Sequence, residues 1–389
     1  MRRKILVSAG EASGDLYTAS LVERLRERLR EAEFFGSAGP RMRAAGVRAV
    51  VDAGSLAVVG LVEVLRHVPK IYRQYRRLLA ACRQERPELA ILADSPDFHL
   101  RLARRLKRQG IPVIYLVAPQ VWAWRRGRLR LMRRVIDRLL CIFPFEEEFF
   151  RREGIAAFYI GHPLARLVRP RLAREEFLRA HGLPEDRPLV ALLPGSRWSE
   201  ASRHIPPLIQ AAERIRREIP ASFLWAAPEG GFSGASGPNF REPLARSSIQ
   251  VIEGQTWDVL AQAEVALAAS GTVTIEAALL GTPLVVFYKV SPWTWRLGRP
   301  LVRVPFYSMV NLVAGRAVAP ELVQNEVVGE RLAAEALRLL RDPEARRRMQ
   351  RDLAQVAARL SGPQDPIERA AALVEEFMRS ATDKRGSEG

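Results

Sequence analysis

Lys4-Ile5-Leu6-Val7-Ser8-Ala9-Gly10-Glu11-Ala12-Ser13-Gly14-Asp15 decides how the chain is read. The basic start followed by Ile5-Leu6-Val7 has the outline of a secretory signal, but Glu11 and Asp15 arrive at once and leave no apolar core segment. The run Lys4–Ser8 reads as a first buried strand, the small residues after it as a tight turn, and Gly14–Ala32 as a helix. A strand that runs through a small-residue turn into a helix is the repeating unit of a parallel, doubly wound sheet.

Outward from that stretch the unit recurs. Strand-like runs at Glu33–Gly36, Leu89–Leu92, Val113–Val117 and Arg138–Ile142 alternate with helical patterns at Gly60–Gln84, Phe98–Gln109, Gly127–Val135 and Pro144–Glu153. The alternation then restarts, with strands expected at Leu189–Leu193, Ser222–Ala226, Ile249–Glu253, Val265–Ala268 and Pro283–Phe287. Helices fall between them at Ile205–Ile219, Trp257–Gln262, Thr272–Leu280 and Gly329–Leu340. The expected fold is α/β, with two Rossmann-like domains facing one cleft and joined near Gly161-His162-Pro163. Residues 1–165 form the first domain, 166–345 the second, 346–378 a helical tail packing back on the first, and 379–389 a flexible end. Gly230–Pro238, rich in Gly and Ser, reads as a loop. Two domains also suit a chain of 389 residues, too long for one core.

Composition narrows the partners. Sixty-one basic against 43 acidic residues give a formal charge of +18, which suits nucleic acid, an anionic membrane or phosphate-bearing substrates. The basic residues from Arg101 to Arg134 have no acid among them. The apolar Leu56–Leu65, followed by Lys70, Arg73, Arg76 and Arg77, reads either as core or as a lip at a lipid surface. No apolar run approaches the roughly 18 residues that cross a bilayer. Cys82 and Cys141 sit in apolar stretches and read as buried free thiols, as in a reducing compartment.

Candidate chemistry lies just past the strands, where open α/β sheets bind ligands. After the first strand, Gly10, Glu11, Ser13 and Gly14 line a turn whose backbone N–H groups suit an anion or a developing charge. Asp94-Ser95-Pro96-Asp97-Phe98-His99 offers two carboxylates, one to cap a helix and one to act as general base; Asp97 is the candidate base. Trp122 and Trp124, beside Arg125 and Arg126, either line a pocket or pack internally. In the second half, Gly195, Ser196 and Arg197 make a small turn with a guanidinium suited to a diphosphate. Ser270, Gly271 and Thr272 offer donors at a helix start, with Glu276 one turn on, in reach of a ribose. No D-x-D, H-x-x-x-H or C-x-x-C pattern points to a metal, and His162 reads as structural.

Taken together, Gly10–Asp15, Asp94–Phe98, Val121-Trp122-Ala123-Trp124, Ile160-Gly161-His162, Leu192–Arg197, Ala269–Thr272 and Asn311–Arg316 resemble the lipid-A-disaccharide synthases, inverting glycosyltransferases of the GT-B fold. The resemblance runs nearly end to end. It implies transfer of 2,3-diacylglucosamine from UDP-2,3-diacylglucosamine to 2,3-diacylglucosamine 1-phosphate, a step of lipid A biosynthesis that yields a β-1,6-linked disaccharide phosphate and UDP. It implies Asp97 as the base toward the acceptor 6-hydroxyl, Arg197 on the diphosphate, and Ser270, Gly271, Thr272, Glu276, Asn311 and Gln324 around the nucleotide. No cofactor is implied. The expected location is the cytoplasm, peripheral on the inner face of the cytoplasmic membrane, and the helical tail is a candidate for exchange in a homodimer. His99 stands where the family often has Asn, and Pro206-Pro207 follows Arg197 as a second departure. Alternative readings are another GT-B enzyme on a lipid-linked acceptor, a UDP-sugar epimerase of the same fold, and a basic nucleic-acid-binding protein; the last lacks any recognised binding signature.

Overall fold

The computed structural model describes residues 3–53, 61–196, 198–228 and 244–386; for residues 12, 61–68, 199, 297 and 381–386 it describes the backbone alone. Arg197, the loop Gly230–Pro238 and the apolar side chains of Leu56–Leu65 lie outside what is described.

Seven strands form the first sheet: β1 (Lys4–Ala9), β2 (Glu33–Ala38), β3 (Arg48–Asp52), β4 (Leu89–Ala93), β5 (Val113–Leu116), β6 (Arg138–Cys141) and β7 (Ala157–Tyr159). All pairings are parallel, in the order β3-β2-β1-β4-β5-β6-β7. Six more form the second: β8 (Leu189–Leu193), β9 (Ser222–Ala227), β10 (Ile249–Glu253), β11 (Val265–Ala269), β12 (Leu284–Tyr288) and β13 (Glu321–Val323). These too are parallel, ordered β10-β9-β8-β11-β12-β13. Central strands covered on both faces must be apolar throughout. Accordingly every residue of β4, β8 and β11 is buried.

Each sheet has a point where the strand order reverses, between β1 and β4 in the first and between β8 and β11 in the second. The loops leaving paired neighbours there diverge to opposite faces and open a crevice at the carboxyl edge. Gly10–Gly14 and Asp94–Asp97 leave one reversal point; Pro194–Ser196 and Ser270–Thr272 leave the other.

The chain divides into two units, Met1–Pro163 with Leu360–Gly389, and Leu164–Arg359. The boundaries fall at 163/164 and 359/360, against the expected 165/166 and 345/346. The helix Pro343–Ser361 stays almost wholly with the second unit, where Met349 Sδ accepts from the Leu284 N–H at 3.3 Å. The helix Pro366–Gly386 packs on Ala12–Arg28 in the first unit. Arg28 reaches Glu368 at 2.7 Å and Glu375 at 3.1 Å. Exposed ion pairs contribute at most about 1 kcal/mol each, so burial of Ile367, Ala370, Ala371, Val374 and Met378 carries the docking.

Three strands escape the sequence reading: β3, β7 and β13. All are edge strands of three to five residues. Too short for a full apolar period and wet on one side, they carry little pattern. The helix expected to start at Ile205 begins at Trp198 and runs through Pro206 and Pro207. Within it, His204 holds both flanks, with Nδ1 2.7 Å from the Pro194 carbonyl and Nε2 3.1 Å from that of Lys289.

Candidate active site

In the first unit the loop after β1 is pinned to the loop after β4. The N–H groups of Gly10 and Glu11 donate to the Asp94 carboxylate at 2.9 and 3.1 Å. The fit leaves no room for a Cβ: one on Gly14 would stand 1.7 Å from Asp94 Oδ2, and one on Gly10 2.2 Å from Ser95 Oγ. The two glycines of the first motif are thus required by two side chains, Asp94 and Ser95, some 80 residues away. Burial, and then the nearby Glu11, push the Asp94 carboxyl up to about 8. Asp94 and Ser95 both have left-handed backbone, with φ of 54° and 39°. That turn is held by Tyr115, whose hydroxyl donates to the Asp94 carbonyl, and by His99.

His99 is fully buried, with Nδ1 2.9 Å from the Asp94 carbonyl oxygen and Nε2 2.8 Å from the Ser8 hydroxyl. Burial draws its pKa down to about 4 and keeps the ring neutral. Asp15 caps the short helix Pro40–Ala44 by accepting the N–H groups of Gly39, Arg41 and Met42 at 2.8, 3.0 and 3.3 Å.

Asp97, in the first turn of the helix Pro96–Arg108, points outward with its side chain 67% exposed. It pairs with Arg125 at 3.1 Å and with Arg128. The two aspartates of this motif therefore divide their work: Asp94 fixes the loops and Asp97 meets solvent. Trp124 is 40% exposed, with the Arg125 and Arg128 guanidinium groups 4.4 and 5.8 Å from its ring. Trp122 packs inside, edge-on to Phe145, and donates its ring N–H to Glu146 at 3.0 Å. Glu146 also accepts the Phe143 N–H at 3.2 Å, and full burial pushes its carboxyl up to about 8. Of the basic run, Lys107 pairs with Asp137 and Arg133 with Glu153. Arg101, Arg104, Arg105, Arg108, Arg126, Arg130 and Arg134 have no ion-pair partner among the described residues.

In the second unit Gly195, with φ of +114°, turns the chain after β8; a Cβ there would lie 3.9 Å from that of Ala269 at the end of β11. The two turns therefore adjoin. Ser196, Gly271 and Thr272 are exposed. Ser270 differs from expectation: its N–H donates to the Phe287 carbonyl at 2.8 Å and its hydroxyl to that of Tyr307 at 2.6 Å. With both donors spent, it positions the turn, and the donors open to an anion are those of Gly271 and Thr272, at the start of the helix Val273–Leu280. Glu276 on that helix takes a hydrogen bond from Trp257, and burial raises its carboxyl to about 7.

Asn311 is fully buried. Its Oδ1 accepts the Val318 and Ala319 N–H groups at 2.8 and 2.9 Å, and its Nδ2 donates to the Ala319 carbonyl and to Glu321, both at 2.8 Å. Its hydrogen bonding is complete inside the unit, where it closes the loop that carries Val318 and Ala319. Gln324 brackets Val290, accepting its N–H at 2.7 Å and donating to its carbonyl at 3.1 Å. Glu321, which the sequence reading passes over, organises this region by accepting the Tyr307 and Ser308 N–H groups at 2.8 and 2.9 Å. Ser8, His204 and Trp257 are missed as well, since their pairing with His99, with Pro194 and Lys289, and with Glu276 is made only by the fold. Among the described residues no three His, Cys, Asp or Glu side chains are grouped to hold a metal.

Similarity to known proteins converges on one family. The family model described as lipid-A-disaccharide synthetase matches residues 5–375. The lipid-A-disaccharide synthase of Solibacter usitatus is 60% identical over 375 residues, covering 96% of this chain and 97% of its own. That of Geobacter sulfurreducens is 41% identical over 381 residues, covering 96% and 97%. Among solved structures, the UDP-GlcNAc 2-epimerase of Neisseria meningitidis bound to UDP-GlcNAc aligns with a TM-score of 0.64 at 13% identity, over 97% of this chain and 100% of its own. The glycotransferase of kitacinnamycin aligns with a TM-score of 0.61 at 18% identity, over 96% and 98%. At such identities the structures speak for the fold alone, the GT-B class with its two Rossmann-like domains, while the sequence relatives speak for more. On residues 5–375 and on these relatives, the chain belongs to the lipid-A-disaccharide synthase family of glycosyltransferases.

Proposed function

We propose that the chain transfers 2,3-diacylglucosamine from UDP-2,3-diacylglucosamine to the 6-hydroxyl of 2,3-diacylglucosamine 1-phosphate, with inversion, giving the β-1,6-linked disaccharide 1-phosphate and UDP. The 60% identity to a synthase across nearly the whole chain carries the reading. The roles proposed are these. Asp97, exposed beyond β4, takes the proton from the acceptor hydroxyl as its oxygen bonds to C1 of the donor sugar. The bond from C1 to the diphosphate breaks, and UDP carries that electron pair away. The Gly271 and Thr272 N–H groups, at a helix start, with Arg197 and the Gly195-Ser196 turn, neutralise the leaving diphosphate. Glu276 faces the ribose, and Asn311 and Gln324 hold the surrounding loops as positioning residues. Gly10, Glu11, Ser13 and Gly14 line the reacting end of the acceptor site.

Arg125 and Arg128 have a second use in this reading: they pair with Asp97 and meet the acceptor's phosphate. The remaining unpaired arginines between Arg101 and Arg134 favour an anionic lipid surface, at roughly 1 kcal/mol each. The proposed location is the inner face of the cytoplasmic membrane, held peripherally; no described helix is long and apolar enough to cross a bilayer. In a homodimer, Pro366–Gly386 is the helix that two copies would exchange.

Purified chain supplied with both lipid substrates tests the proposal by product mass and UDP release. The disaccharide phosphate is the expected product. Product formed only with another lipid-linked acceptor, or an epimerised UDP-sugar with no transfer, overturns it.

A further inference from the structure

Between Glu276 and Glu321 the chain has no acidic residue, and within that stretch an exposed hairpin stands out. It consists of the helix Pro292–Gly298, capped by the Ser291 hydroxyl on the Thr294 N–H at 3.2 Å, and the short turn Arg299–Leu301. Trp295 turns inward, its ring 5.8 Å from that of Tyr307, which stacks on Tyr288 at 6.1 Å. Trp293 turns outward and is 76% exposed, with Leu301 59% and Val302 36% exposed beside it. Arg296, Arg299 and Arg303 surround these apolar tips, all exposed and none with an ion-pair partner among the described residues. Other surface arginines of this unit do find carboxylates: Arg316 pairs with Asp352, Arg331 with Glu326 and Arg341 with Glu218.

A tryptophan so exposed leaves a large apolar area in water, and folding gives no reason for it. Trp beside Leu and Val, ringed by unpaired arginine, is the composition of an element lying in a headgroup layer. The Trp293 ring, with Leu301 and Val302, enters the acyl boundary while the guanidinium groups meet lipid phosphates. We infer that the hairpin 292–303 is a membrane-docking element of the second unit, with an anionic bilayer surface as its partner. The inference rests on the proposed membrane association only in naming a lipid surface, and is independent of the sugar transfer.

Cys82 and Cys141 are buried, so Leu301→Cys in the full chain offers one accessible thiol for an environment-sensitive fluorophore. Vesicles of phosphatidylcholine alone are compared with vesicles containing phosphatidylglycerol. The expected result is a blue-shifted, brighter probe with anionic vesicles only, and sedimentation with those vesicles weakened roughly tenfold or more by Arg296→Gln, Arg299→Gln and Arg303→Gln combined. A silent probe on a chain that still sediments overturns the inference while leaving membrane association standing. A chain that does not sediment overturns both. A probe response that needs no vesicles and grows with protein concentration assigns the hairpin to a second copy and overturns the inference as well.

Discussion

Nε2 of His99 and the hydroxyl oxygen of Ser8 stand 2.8 Å apart, a buried hydrogen bond that ties β1 to the helix carrying Asp97. Burial, not the hydrogen bonds, keeps the ring neutral; one nitrogen is shared with Ser8 and the other donates to the Asp94 carbonyl. Burial likewise draws His162 down to about 3. Unfolded rings take up protons near pH 6.5, whereas the folded rings wait until about 4 and 3. The stability they contribute is present above pH 6.5 and drains away as pH falls through that window. Glu146 and Asp94 act in the opposite sense. Each is raised to about 8, so each favours the fold at low pH and ceases to as pH climbs from the ordinary carboxylate range toward 8. Urea midpoints measured from pH 4 to 9 are expected to peak in between, and Glu146→Gln to flatten the alkaline side. An unchanged alkaline slope would show Glu146 ionised in the fold.

The division of labour between Asp94 and Asp97 predicts divergent kinetics. Asp97→Asn is expected to cut turnover by roughly 10²–10⁴. Asp94→Asn keeps an acceptor for only one of the two N–H groups of Gly10 and Glu11, and is expected to lose stability more than rate. An acid limb near pH 8 in kcat/KM that disappears in Asp94→Asn would transfer the role of base to Asp94.

Gly14→Ala sets a methyl group 1.7 Å from an Asp94 oxygen. Relief requires the loop after β1 to move off the loop after β4. The expected loss is about 1–3 kcal/mol or more, with a fall in kcat, read by denaturation and turnover on the same sample. Wild-type stability in this variant would mean the two loops are not in contact.

Asn311→Ala leaves the N–H groups of Val318 and Ala319 without their acceptor. Each orphaned buried group costs about 1–3 kcal/mol, so a loss of about 2–6 kcal/mol is expected from the two, with a raised KM for the UDP-sugar. A raised KM at full stability would instead mean that Asn311 touches the nucleotide directly.

Much of the first-order design is legible in the sequence. Runs such as Leu89–Leu92 and Val265–Ala268 are apolar because both faces are covered, and the small residues after them mark where the strands end. What stays hidden is pairing at a distance. Ser270 looks like a donor to phosphate until Tyr307, 37 residues on, claims its hydroxyl. Asp97 reads from the sequence as a candidate base beside Asp94, with no sign that Arg125 and Arg128, 28 and 31 residues on, close around it. The acid-free basic run loses part of its apparent excess through that contact. Asn311 comes into the reading only by resemblance, and its saturated amide shows why such a residue suits a closed loop.

The first unit is built from both ends of the chain, residues 1–163 and 360–389, with the second contained between them. A nascent chain therefore completes the second unit first. The helix Ala12–Arg28, made early, waits for Pro366–Gly386 through more than 300 residues of synthesis, roughly tens of seconds at about 5–20 residues per second. A premature stop shortly before residue 360 would spare the unit next to the cut and strip the one that was begun first, a reversal of the usual rule that a truncated message harms what it encodes last.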